Sequence, residues 1–180
     1  MKKLLILDRD GVINEDSPHY IRSVEEWIPI PGSLEAIAMA SQKGFIIGIA
    51  TNQSGIGRGY FSRETLNAIH NKMIAAVRAK GGQIAAIKYC PHHPDDHCLC
   101  RKPLPTLLSI LCKEKGIKPE HSWMVGDSLK DLQAGLAAGC KVALVKTGNG
   151  KKTQQQLSQN PELSCIPVFN SLSEFCSQLL

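Results

Sequence analysis

The sequence predicts an α/β fold built on a doubly wound parallel sheet, and three observations carry that prediction. Short apolar runs recur along the chain, at Leu4–Leu7, Phe45–Ala50, Ile84–Tyr89, Ser122–Gly126 and Val142–Val145. The stretches between them place apolar residues at helical spacing, so strands alternate with helices and right-handed crossovers follow. Four runs lead into polar or charged residues, and open sheets of this kind bind ligands beyond the carboxyl ends of their strands.

The first run stops at Asp8-Arg9-Asp10-Gly11. Side chains two apart on an extended segment point the same way, so Asp8 and Asp10 could face one site. A plain Asp-Gly turn is the other reading of these residues. A polar loop from Val12 to Pro31 holds Asp16, His19 and Tyr20. Pro31-Gly32-Ser33 opens a helix carrying Leu34, Ile37 and Ala38, which Gly44 stops. The second strand ends in Thr51-Asn52-Gln53-Ser54-Gly55-Ile56-Gly57-Arg58-Gly59. Ser62 caps a long helix with Leu66, Ile69, His70, Met73 and Val77 on one face, running to Gly81-Gly82.

The third strand leads into a Cys/His-rich loop over residues 90–100 and then Arg101-Lys102-Pro103. A helix from Pro105 to Lys115 precedes the fourth strand, which ends at Asp127. Another helix, Leu129 to Ala138, leads to the fifth strand. Thr147 to Pro161, rich in Gly, Lys, Gln and Asn, reads as a mobile loop plus a polar helix. A weak strand near Cys165–Phe169 and a helix from Ser171 onward complete a single domain over residues 1–180.

Bulk properties narrow the function classes. A chain of 180 residues can bury a substantial core without staples. Its formal charge of +5 suits an anionic substrate but is not the clustered basic stripe of a nucleic-acid binder. The apolar start stops at Asp8, too early for a secretory signal, and no run approaches the roughly 18 apolar residues of a membrane helix. The expectation is a cytoplasmic monomer with no nucleic-acid or membrane partner. The seven cysteines include a tight cluster, which in a reducing compartment binds metal rather than forming disulfides.

Asp8/Asp10, Thr51-Asn52, Arg101-Lys102 and Asp127 with Asp131 converge on one sheet edge. The set suits phosphoryl transfer through an aspartyl-phosphate. One carboxylate attacks phosphorus and a second acid protonates the leaving oxygen. Mg²⁺ on a few carboxylates lets one anion approach another. Lys102 adds a fixed positive charge, and Thr51 with nearby backbone N–H groups bonds phosphoryl oxygens. Such help is needed, because a carboxylate about 4 Å from one phosphate charge is repelled by roughly 4 kcal/mol at an effective dielectric near 20. Gly55-x-Gly57-x-Gly59 lacks the spacing of a dinucleotide fingerprint. His70 reads as a packed or surface histidine, and Asp131 as a group orienting Lys102 or a metal-bound water.

Asp8-x-Asp10-Gly11, the apolar strand before Thr51-Asn52, Lys102-Pro103 and Gly126-Asp127-Ser128-x-x-Asp131 resemble, in order, the four motifs of the haloacid dehalogenase (HAD) phosphatases. Within that superfamily three stretches are similar to the D-glycero-D-manno-heptose 1,7-bisphosphate phosphatases. They are Asp8-Arg9-Asp10-Gly11-Val12-Ile13-Asn14, Thr51-Asn52-Gln53-Ser54-Gly55-Ile56-x-Arg58-Gly59, and Cys90-Pro91-His92-His93-Pro94…Cys98-x-Cys100-Arg101-Lys102-Pro103. The resemblance implies that Asp8 is the nucleophile and Asp10 the general acid/base. It implies Mg²⁺ on Asp8, the Asp10 carbonyl and Asp127, and phosphoryl stabilisation by Thr51 and Lys102. Asn52, Gln53, Ser54 and Arg101 then contact a small phosphorylated sugar, joined by Asp16 and Tyr20 from a loop with one extra residue. Family members remove the C7 phosphate on the route to the heptose of lipopolysaccharide core.

Cys90, His92, Cys98 and Cys100 form a closed four-ligand set, the pattern of structural zinc. His93 and His97 compete with His92, and the resemblance favours His92. Zinc here would stiffen the loop that delivers Arg101 and Lys102. Between Asp10 and Thr51 the chain has room for a loop, a helix and a strand, so a capless enzyme is expected. Ser128 stands where some relatives carry a lysine. The histidinol-phosphate phosphatases, with similar zinc loops, are the alternative enzyme class. A phospho-accepting receiver lacks the acid at Asp10, and a zinc-knuckle module does not explain the ordered carboxylates and lysine.

Overall fold

The computed structural model describes residues 2–161 and 163–179. Six strands form one sheet in the order β3-β2-β1-β4-β5-β6, with every pair parallel. They are β1 (Lys3–Leu7), β2 (Phe45–Asn52), β3 (Ile84–Cys90), β4 (Ser122–Gly126), β5 (Lys141–Val145) and β6 (Val168–Phe169). The helices are α1 (Ser33–Gln42), α2 (Ser54–Gly57), α3 (Arg63–Ala79), α4 (Thr106–Lys115), α5 (Leu129–Ala138), α6 (Gly150–Ser158) and α7 (Leu172–Leu179). Among the described residues no helix is long and apolar enough to cross a membrane.

Central β1 explains the layering. Leu5 and Leu7 pack with Ile37, Ile69, Met73 and Phe175 from α1, α3 and α7. Leu4 and Ile6 pack on the opposite face with Leu108, Leu111, Leu132 and Leu157 from α4, α5 and α6. A parallel strand covered on both faces reads as a continuous apolar run, which is why Leu4–Leu7 shows no polar alternation. Strand order reverses between β1 and β4, and that switch point places Asp8 beside the end of β4, with Asp8 N–H donating to Val125 O at 3.0 Å.

Local signals account for the ends of the helices. Ser62 accepts from the Thr65 N–H at the start of α3. Ser128 and Asp131 form a reciprocal capping box on α5, and left-handed Gly139 closes it. Between Asp10 and Thr51 lie a loop, α1 and β2, with no inserted domain. The short helix α2 occupies what the sequence presents as a glycine-rich loop, because Gly55 lets Phe61 pack where a Cβ would stand.

The stretch after β5 differs from expectation in a way that bears on function. Its polar helix is present as α6, but the loop before it is tied down rather than mobile. Thr147 Oγ1 donates to Gly11 O at 2.6 Å, and the Asn149 N–H donates to Asp127 Oδ2 at 2.7 Å. Gly150 lies so close to β5 that a Cβ would overlap the Val145 carbonyl oxygen. Each of these ties involves a backbone group, which apolar periodicity does not register. Gly150→Ala is therefore expected to cost about 2 kcal/mol, the scale of forced overpacking. A thermal melt checks it, and an unchanged midpoint would show that the approach is not required.

Candidate active site

Lys102 stands at the centre of the site and is only 2% exposed. Its Nζ pairs with Asp131 Oδ1 at 2.6 Å and Asp8 Oδ1 at 3.0 Å and donates a hydrogen bond to Ala50 O at 2.7 Å. Burial would lower its pKa, but the Asp131 and Asp8 carboxylates outweigh burial and hold it well above the ordinary lysine value. Asn52 grips the lysine backbone, donating from Nδ2 to Lys102 O and accepting from Lys102 N–H, each at 3.1 Å. Asp131 is fixed in turn, since its Oδ2 accepts from Ser128 N–H at 3.0 Å and Ser128 Oγ at 2.7 Å.

Asp8, Asp127 and Asp131 bring carboxylate oxygens within 4.8 Å of one another. Burial, then the Asp131 charge, pushes Asp8 up to about 7, with Lys102 pulling the other way. Asp127 is pushed up to about 8 by burial and by the charges of Asp8 and Asp131. Asn149, just before α6, and Thr153 within it hold Asp127, with Thr153 Oγ1 donating to Asp127 O at 2.7 Å. Gly11 and Gly148, both at positive φ, close over the Asp127 carboxylate where any Cβ would overlap it. Carboxylates this crowded are short of positive charge, and hard oxygen donors of this kind fit a divalent cation such as Mg²⁺.

Asp10 is held differently. Its Oδ1 accepts from Arg9 Nε at 3.0 Å and Asn14 Nδ2 at 2.8 Å, and its Oδ2 from Arg9 Nη2 at 3.0 Å and Gln53 Nε2 at 2.9 Å. Burial alone would raise its pKa, but Arg9 and these hydrogen bonds pull it below the ordinary carboxylate value. Gln53 also donates to Thr51 Oγ1 at 2.9 Å and accepts from Arg9 Nη2 at 3.2 Å. Asn52 and Gln53, for which the resemblance implies substrate contact, line the cavity with their amides engaged inside the protein.

An open cavity of about 610 Å³ lies above these groups. Asp8, Asp10, Thr51, Ser54, Lys102 and Asp127 all line it, as do Asp16, Tyr20 and Arg101 nearer the mouth. Asp16 Oδ2 accepts from Asn149 Nδ2 at 2.9 Å. Tyr20 adopts φ 68° and rests its ring 5.3 Å from that of Tyr60. Arg101 has a buried Nη1 with no hydrogen-bond partner among the described residues. Lys130, Asn149, Lys152 and Gln156 also line the cavity and were missed in the sequence reading. The signal was there: Thr147-Gly148-Asn149 follows the fifth apolar run as a polar strand end like the other four.

Beside the cavity, Cys90 Sγ lies 3.5 Å from Cys98 Sγ, and Cys98 Sγ 3.8 Å from Cys100 Sγ. His92 Nδ1 lies 3.5 Å from Cys90 Sγ and 3.2 Å from Cys100 Sγ. A tetrahedral zinc with ordinary bond lengths separates its ligands by about 3.8 Å for two sulfurs and about 3.5 Å for sulfur and nitrogen. The four residues therefore fit zinc. His93 is turned to another task, its Nδ1 accepting from Asp95 N–H at 3.2 Å. The loop docks on α2, with Gly57 N–H donating to Pro91 O at 2.8 Å.

Comparison with known proteins agrees with this geometry. The HAD-hydrolase-like family model matches residues 99–174. The chain is 49% identical over 178 residues to the D-glycero-beta-D-manno-heptose-1,7-bisphosphate 7-phosphatase of Pseudomonas putida, covering 99% of both chains. It is 47% identical to the Neisseria meningitidis serogroup A enzyme of the same name, covering 99% of this chain and 95% of that one. Among solved structures, the D,D-heptose 1,7-bisphosphate phosphatase of B. bronchiseptica, complexed with magnesium and phosphate, superposes with a TM-score of 0.92 at 48% identity, covering 98% of this chain and 97% of that one. The chain belongs to the D-glycero-beta-D-manno-heptose-1,7-bisphosphate 7-phosphatase family, within the HAD superfamily of phosphatases.

Proposed function

We propose that this protein removes the C7 phosphate of D-glycero-D-manno-heptose 1,7-bisphosphate through an aspartyl-phosphate on Asp8. The observation that carries the reading is the buried Lys102 ammonium 3.0 Å from Asp8, inside a carboxylate cluster that opens on a cavity. The names of the relatives, and the magnesium and phosphate in the B. bronchiseptica complex, support substrate and cation.

In the first step an Asp8 carboxylate oxygen bonds to phosphorus while the bond from phosphorus to the sugar oxygen breaks. Asp10 gives that oxygen its proton, so the sugar leaves as an alcohol. In the second step water attacks phosphorus and passes a proton to Asp10, and the bond from Asp8 to phosphorus breaks to release phosphate. Lys102 offsets the charge of Asp8 as the phosphate approaches, and Thr51 faces the same space. Mg²⁺, held by Asp8, Asp127 and the Asp10 backbone carbonyl, would neutralise charge on the phosphoryl oxygens.

The second phosphate of the substrate falls to Arg101, whose planar fork pairs well with phosphate and whose Nη1 has no hydrogen-bond partner among the described residues. Asp16, Tyr20 and Ser54 would meet the sugar between the two anions. Structural zinc on Cys90, His92, Cys98 and Cys100 would hold the loop that presents Arg101 and Lys102. The enzyme would then act as a cytoplasmic monomer in building the heptose of lipopolysaccharide core.

A substrate panel tests the reading. The wild type should give a higher kcat/KM on heptose bisphosphate than on histidinol phosphate, and Asp8→Asn should abolish turnover of both while keeping the fold. A preference for histidinol phosphate, or a fully active Asp8→Asn variant, would contradict it. For zinc, metal analysis of protein purified without chelator should give about one zinc per chain, as a closed four-ligand site demands. A content near zero in folded, active protein would contradict that assignment.

A further inference from the structure

Arg9 carries its guanidinium into the core of the site, with 0% of its surface exposed. A buried guanidinium needs acceptors on every edge, and an unpartnered donor there costs about 1–3 kcal/mol. Two edges are met by Asp10, through Nε and Nη2, and by Gln53 Oε1. The third edge, Nη1, faces His70 Nε2 at 3.4 Å. His70 comes from the middle of α3, is itself buried, and lies with its ring 6.0 Å from that of Tyr89 on β3 in an edge-on arrangement.

Burial and the neighbouring Arg9 depress the imidazole pKa to about 3, so it is neutral. A neutral ring can accept at Nε2 only if its proton sits on Nδ1, which sets the tautomer.

We infer that His70 is a positioning residue for the acid–base carboxylate: it accepts from Arg9 Nη1 and so fixes the plane of the fork that holds Asp10. The fork and the carboxylate are bidentate and close to coplanar by nature, so an arginine that rocks takes Asp10 with it. Asp10 lies three residues beyond the end of β1, but its aim is set from α3, on the far side of Arg9. The inference rests on the reading above that Asp10 carries the leaving-group proton. It also gives a task to a histidine that the sequence presents as mere packing.

Two ester classes separate positioning from general stability. The C7 ester leaves as a basic alkoxide and depends on a well-aimed acid, whereas p-nitrophenyl phosphate leaves as a stable anion and depends on it little. The informative quantity is the ratio of kcat on heptose bisphosphate to kcat on p-nitrophenyl phosphate. His70→Gln places an acceptor near the position of Nε2, and His70→Asn reaches only the position of Nδ1. The ratio should fall about tenfold in His70→Asn, the scale of a modest loss of alignment, and stay within about twofold of wild type in His70→Gln. If the two variants behave alike, whether both lose the ratio or both keep it, the inference is overturned. Asp10→Asn is run beside them. A ratio unmoved by Asp10→Asn would overturn the acid–base role and this inference with it, whereas a ratio lowered there but equal in the two His70 variants overturns the inference alone.

Discussion

A buried ammonium is the constraint around which this molecule is arranged. Taking a lysine out of water costs several kcal/mol unless charge and hydrogen bonds replace the solvent. Lys102 meets that requirement with three acceptors from three elements: Ala50 on β2, Asp8 after β1, and Asp131 on α5. Each acceptor is secured by something else. Ala50 is a strand residue, Asp8 is tied to β4, and Asp131 caps its helix through Ser128. The lysine backbone is gripped by Asn52 and continues directly from the Cys/His loop that starts from β3. The sheet edge, the α5 cap and the Cys/His cluster thus converge on one charge.

The carboxylates around it differ in character because their surroundings differ. Asp10 faces Arg9, Asn14 and Gln53, and its pKa is lowered. Asp8 and Asp127 are buried beside other acids, and theirs are raised. One consequence concerns Asp10. Four donors fill its oxygens, so a proton can join it only when at least one of those bonds is given up. Gln53 links Asp10 to the end of β2, because its amide donates to both Asp10 and Thr51.

Much of this was readable in the chain. Leu4–Leu7 followed by Asp8-Arg9-Asp10-Gly11 announced a buried strand with acids at its end, and Ser62 and Ser128…Asp131 sat where helix caps belong. Asp131, read from the sequence as orienting Lys102 or a metal-bound water, lies 2.6 Å from the lysine ammonium. What was not readable depends on approach of backbones and on direction of side chains. Gly150 against Val145, and Gly11 with Gly148 over Asp127, are contacts between segments far apart in sequence. The inward turn of Asn52 and Gln53 is a choice of rotamer that no spacing reveals. The 3.4 Å meeting of His70 with Arg9 spans 61 positions and two elements.

The central claim is that the Lys102 charge makes Asp8 a usable nucleophile. The most direct measurement is the rate at which phosphate becomes covalently attached to Asp8, followed by rapid acid quench and peptide mapping in the wild type and in Lys102→Met. The expected result is a label on the Asp8 peptide in the wild type, forming about 10²- to 10³-fold more slowly in a folded Lys102→Met variant, the usual scale for removing one electrostatic stabiliser. A label on another residue, or one that forms on Asp8 at the wild-type rate without the lysine charge, would contradict the claim.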